Sequence, residues 1–187
     1  QAAKASVLFD AVEQAAQSGD MAMLERTFAD MKDRYGRTTY AQQSGLLAAK
    51  VMDEKGNIDG ARAALAWVAD KASDEGYQAV AKLRLASVLM QTKAYDDARK
   101  QLSGSFPTQF QPLVADRLGD IDVLQGKKAD AAAQYSKAYK GFEAGSQYRR
   151  VVEVKLNALG ADPQAGALPA AGVVVQPGSA PATGESK

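Results

Sequence analysis

Apolar residues recur at intervals of three and four along most of the first 160 positions, and short polar breaks interrupt them at regular distances. Val7, Leu8, Ala11, Val12 and Ala15 predict a helix over 6–17. Gly19-Asp20 ends it, and Asp20 is placed to cap a second helix that carries Leu24, Phe28 and Met31 and stops near Gly36. A third helix starts at Thr38 or Thr39, contains Leu46, Leu47, Ala49 and Val51, and ends at Lys55-Gly56. A fourth starts at Asn57 or Ile58 and runs through Ala61, Leu65 and Val68 to about Ala72. After the loop 73–76 the pattern is written twice more, as helical pairs over 77–102 and 113–142. Pro107 and Pro112 bracket the turn between these pairs and are expected to interrupt neither. Gly145-Ser146 can cap a last helix through Val151, Val152, Val154, Leu156 and Leu159, which lacks a partner and is expected to act as a solvated cap.

The pairs share a register. Aligned on Leu85-Ala86 and Leu118-Gly119, the small residues Ala98 and Ala131 coincide, and so do the larger Leu102 and Tyr135 four places on. The same small-residue position falls at Leu24 and Ala61, so the intervals 24 to 61, 61 to 98 and 98 to 131 are 37, 37 and 33 residues. A small side chain lets two antiparallel helices approach, and a large one fills the gap to the next pair. These spacings bracket the tetratricopeptide period, which predicts an all-α solenoid of about four hairpins plus a capping helix. Trp67, Tyr95 and Tyr135 are its expected bulky wedges. Leu24, where Ala is usual, makes the first unit atypical, as terminal units tend to be.

From Gly160 the composition changes. Residues 163–184 carry no charge, and Pro163, Pro169, Pro177 and Pro181 rule out a continuous helix there. The expected organisation is a repeat domain over 1–159 and a flexible Pro/Gly/Ala-rich tail over 160–187. Val173-Val174-Val175 could add to a strand edge, but a helical domain offers none.

Composition narrows the chemistry. The 187 residues are 46% hydrophobic but only 7% aromatic, which suits Ala-rich helix contacts. Lys and Arg number 23 against 22 Asp and Glu, with both signs interspersed, so no basic face is available for a nucleic acid. Cys and His are absent, removing a thiol nucleophile, a disulfide framework and the commonest general base and transition-metal ligand. The segment 53–60 starts like an EF-hand loop, yet Lys55 stands at its third position and Ala64 where a bidentate Glu belongs. Asp116 and Asp120 lie four apart on one helix face, and a solvated face accounts for them better than acid-base chemistry, with Asp122 pointing elsewhere. No Gly-x-Ser-x-Gly or phosphate-loop arrangement is present, so neither an enzyme nor a cofactor is expected.

The remaining candidate is the concave groove lined by the first helix of each pair. Its inward positions include Phe9, Leu46, Lys50, Leu83, Ser87, Met90, Leu113, Asp116, Asp120 and Val123. The row Phe9, Leu46, Leu83, Met90, Leu113, Val123 is more apolar than a solvated face requires. Either a tight superhelix buries much of it, or it receives short hydrophobic or amphipathic segments of a protein partner. Binding of many unfolded segments, lost on Leu83→Glu or Leu113→Glu, would mark a client-binding groove. Indifference to unfolded chains would mark an adaptor or regulator that docks one folded protein.

The phrases Lys82-Leu-Arg-Leu-Ala86, Val114-Ala-Asp-Arg-Leu-Gly119, Gly126-Lys-Lys-Ala-Asp-Ala131 and Val154-Lys-Leu-Asn-Ala158, with the opening helix around Ser6, resemble the YfgM family over about residues 2–159. The resemblance implies an ancillary subunit of the bacterial Sec translocon, with one transmembrane helix and this repeat domain in the periplasm. It further implies association with the translocon and with the membrane-anchored chaperone PpiD, and assistance to newly exported proteins. The family plan places an N-terminal anchor helix before Gln1, so the sequence is expected to be the domain without its inner-membrane anchor.

Overall fold

The computed structural model describes residues 1–164, and the expected tail lies almost wholly outside them. Among the described residues there are nine α-helices and no strand. They are α1 (Ala2–Ser18), α2 (Met21–Tyr35), α3 (Thr39–Glu54), α4 (Ile58–Lys71), α5 (Glu75–Gln91), α6 (Tyr95–Leu102), α7 (Gln111–Leu124), α8 (Lys128–Gly141) and α9 (Gln147–Ala158). Local chemistry sets many of the starts. The carboxylate of Asp20 accepts from the Met23 N–H, the Thr38 hydroxyl from Ala41, Asn57 from Gly60 and Asp74 from Tyr77. Each satisfies one of the N–H groups that a helix start leaves unpaired. Asp74 moves the start of α5 forward of Tyr77, and Pro112 stands inside the first turn of α7, where its missing N–H costs nothing.

One backbone turn joins the two helices of every hairpin. Gly19, Gly56, Lys93 and Gly126 all take positive φ, of 69°, 82°, 60° and 72°. The next N–H in each case reaches back to a carbonyl five residues earlier, as in Asn57 to Met52 and Lys127 to Asp122, both at 2.8 Å. Their intervals repeat the 37, 37 and 33 of the side-chain register. The same turn occurs once more, at Gly160 with φ 74°, where the Ala161 N–H reaches Leu156 O at 3.0 Å. The helix α9 is therefore the first helix of a fifth unit, and Ala161 folds back against it in a cluster with Val152 and Leu156.

The small-residue register governs the packing. Leu24, Ala61, Ala98 and Ala131 are all fully buried, and four residues after each, Phe28, Leu65, Leu102 and Tyr135 fill the core. A methyl at Gly119 would overlap the Tyr135 ring, so glycine is what lets α7 and α8 close on one another. Tyr135 is a buried wedge as expected, whereas Trp67 and Tyr95 are half-buried at the margin of the core, Trp67 edge-on to Phe28. Phe106, in the linker after the short α6, is an additional buried residue that periodicity alone passes over.

Candidate functional site

The ten candidate residues divide into three groups. Phe9, Leu46, Leu83, Met90 and Leu113 are drawn into packing. Phe9 meets Tyr40 with ring centroids 5.7 Å apart, and Leu83 is only 7% exposed. A glutamate at Leu83 would thus report on folding before it reported on a groove. Lys50 and Ser87 line an open cleft of about 330 Å³ between α3 and α5. Asp116 and Asp120 belong to the face that α7 turns toward α9, and Val123, near the end of α7, is exposed.

The cleft has an apolar floor of Ala49, Leu65 and Val88, and its walls carry Lys50, Asp53 and Glu54 from α3 and Arg84, Ser87 and Gln91 from α5. The Ser87 hydroxyl donates to the Leu83 carbonyl at 3.3 Å, which directs it along its own helix. Nearer the start of α3, the Gln43 amide donates to the Tyr77 hydroxyl at 2.8 Å and ties α3 to α5. Charges of both signs on α3 and an arginine on α5, over a narrow apolar floor, suit the backbone and polar side chains of a docked peptide segment. Arg84, which also lines the cleft, lies one position beyond the inward pattern, so the spacing alone does not single it out.

The carboxylate pair on α7 requires a correction. Asp116 does not lie on a solvated face; it is 6% exposed, and Asp120 is half-buried. Lys155 of α9 donates to Asp116 Oδ1 at 2.7 Å and to Asp120 Oδ1 at 2.9 Å. The Tyr135 hydroxyl donates to Asp120 at 2.6 Å, and the Arg117 guanidinium lies 3.0 Å from Asp116. Burial pushes the Asp116 carboxyl above the usual carboxylate range, against the opposing pull of the Lys155 hydrogen bond. Burial, followed by the bond to Asp120, pushes the Tyr135 phenol up. These contacts give both carboxylates structural partners and join α9 to α7 and α8. Asp122 does point elsewhere, to Arg99 of α6. Sequence spacing exposes the two carboxylates as a pair but cannot show that a lysine some 35 residues on will cover them.

Residues 1–161 match the family described as tetratricopeptide repeat-like domain. The chain is 30% identical over 155 residues to the ancillary SecYEG translocon subunit of Neisseria gonorrhoeae, covering 83% of this chain and 74% of that protein. The protein of the same description from Haemophilus influenzae is 28% identical over 160 residues, 85% of this chain and 76% of its own. That of Aggregatibacter actinomycetemcomitans is 29% identical over 123 residues, 66% and 59% respectively.

Proposed function

The chain belongs to the YfgM-like family of tetratricopeptide-repeat ancillary translocon subunits, and we propose that it works as a non-catalytic interaction module attached to the Sec translocon. The observation that carries this reading is a solenoid whose open cleft, between α3 and α5, offers peptide-binding chemistry. The domain acts on the periplasmic side of the inner membrane, held there by an N-terminal anchor. No helix among the described residues is itself long and apolar enough to cross a membrane. Its partners are the translocon, the membrane-anchored chaperone PpiD and segments of newly exported proteins.

A second reading, an adaptor that docks one folded partner, draws support from the burial of Leu83 and the half-burial of Leu46 and Leu113. With these side chains engaged in packing, the central cleft is walled by charges and amides, which favour a defined partner over indiscriminate hydrophobic capture. One experiment separates the two. The anchored protein is used to retrieve SecYEG from detergent-solubilised membranes, and the same domain is titrated with a fluorescent unfolded secretory protein. Retrieval together with micromolar client binding, weakened by Lys50→Glu, supports the chaperone-assisting role. Retrieval without client binding leaves the adaptor. Failure to retrieve SecYEG overturns both.

A further inference from the structure

The shared turn extends the groove by one helix. Counting back from the turn residue, the positions six before Gly19, Gly56, Lys93, Gly126 and Gly160 are Glu13, Lys50, Ser87, Asp120 and Val154. Because helical side chains at equal distances from equivalent turns share a face, Val154 occupies the groove position on α9. Ten before Gly160, on the same face, stands Arg150. Val154 is 67% exposed, and Val123 and Leu124, at the groove end of α7, are 44% and 54% exposed. The bonds from Lys155 to Asp116 and Asp120 hold these two helices side by side.

A helix that merely caps a solenoid should be polar on the side that the next helix would cover and need not be apolar anywhere else. On α9 the covering side, the register of Ala115 and Gly119 on α7, carries Arg149 and Glu153. Tyr148, Val151 and Val154 of α9 are all exposed, and of the three Val154, the most exposed at 67%, holds the groove register. Cations stand at both ends of this patch, Arg150 beside Val154 and Lys127 and Lys128 just after Leu124, none of them in an ion pair among the described residues, while Glu153 and Asp130 are the exposed carboxylates nearest in sequence.

We propose that the groove continues onto α9, and that its α7–α9 end, built on Val123, Leu124, Val154 and Arg150, docks a short apolar protein segment flanked by Asp or Glu. The proposal rests on the interaction-module reading and specifies the chemistry of the segment. Apolar side chains of the segment cover the two valines and Leu124, and its flanking carboxylates meet Arg150 and the Lys127–Lys128 pair. A flat anionic lipid surface fits less well, since Glu153 and the half-buried Asp120 border the same patch, whereas a narrow segment passes between them.

The test is fluorescence anisotropy of the full chain with two twelve-residue peptides that share a Leu-Val-Leu centre, one flanked by Glu and one by Lys. Anionic phosphatidylglycerol vesicles serve as a third arm. The variants are Val154→Glu, Arg150→Glu and, as a convex-side control, Lys137→Glu. The Glu-flanked peptide is expected to bind about tenfold more tightly than the Lys-flanked one. Val154→Glu should abolish its binding, Arg150→Glu should erase the preference, and Lys137→Glu should change neither. Circular dichroism checks that each variant folds, and exposure of all three side chains makes that the expected result. Equal affinity for the two peptides, equal loss in Lys137→Glu, or binding to vesicles alone would overturn the proposal. If neither peptide binds while the anchored protein still retrieves SecYEG, this inference fails and the module reading stands. If retrieval fails, the module reading falls whatever the peptides do.

Discussion

Lys93 holds the turn between α5 and α6 in a left-handed conformation that the three other hairpins give to glycine. A side chain with a Cβ is strained there by about 1–2 kcal/mol, while glycine loses roughly 0.5–1 kcal/mol of that advantage through its freer unfolded chain. Lys93→Gly should therefore stabilise the domain by about 0.5–1 kcal/mol, seen as a higher Tm, and Lys93→Ala should gain nothing. Asp116 gives a second test, in pH. Its folded-state carboxyl titrates above the unfolded value of about 3.9, so between those two points the folded chain binds more protons than the unfolded one. Stability due to this group is present below about pH 3.9 and is lost as pH rises through the raised folded value. The Tm difference between the wild type and Asp116→Asn should accordingly fall as pH rises across that window and then level off. Melting curves of both proteins from pH 3.5 to 7 measure it, and a difference that grows with pH would contradict the burial argument.

At the scale of the element, α9 ends the described stack and packs chiefly on α8. It buries only Val152 and Leu156 fully, worth about 1.5–3 kcal/mol each. The Lys155 contacts are thus a large share of what fixes it to α7. Lys155→Met keeps the stem but leaves Asp116 with Arg117 as its one cationic partner. A cost of about 2–3 kcal/mol is expected. Hydrogen exchange should show amides of 147–158 losing protection well before those of α3 to α5, and uniform loss would mean that α9 is no separate element.

Helix periodicity and the small-residue interval gave the hairpins and their register, because those depend on neighbours three, four and about 34 positions away. The polar partners Lys155–Asp116 and Arg99–Asp122 join separate hairpins across the stack, and a solvated charge looks the same in sequence as a covered one. The groove was legible in position but not in character. Its inward pattern located Lys50 and Ser87, yet could not show that Leu83 sinks into the core or that α9 supplies a fifth row. The 34-residue step from Gly126 to Gly160 was the available signal for that row.

The molecule as a whole is a stack of four hairpins and one further first helix, polar in its central cleft and apolar and basic toward α9. Such a surface has an orientation, so a partner segment lying along it would meet Glu13 and Asp53 toward one end and Val154 and Arg150 toward the other. On the proposed function, the partners of this protein engage its concave side. Site-specific photo-crosslinking in membranes tests it most directly, with the reactive residue placed in the full-length protein at Ser87 or Val154 on the groove, and at Asp59 or Lys137 on the convex side. Crosslinks to SecYEG or its associated proteins from Ser87 and Val154, and none from Asp59 or Lys137, are the predicted result. Crosslinks from the convex positions alone would contradict it.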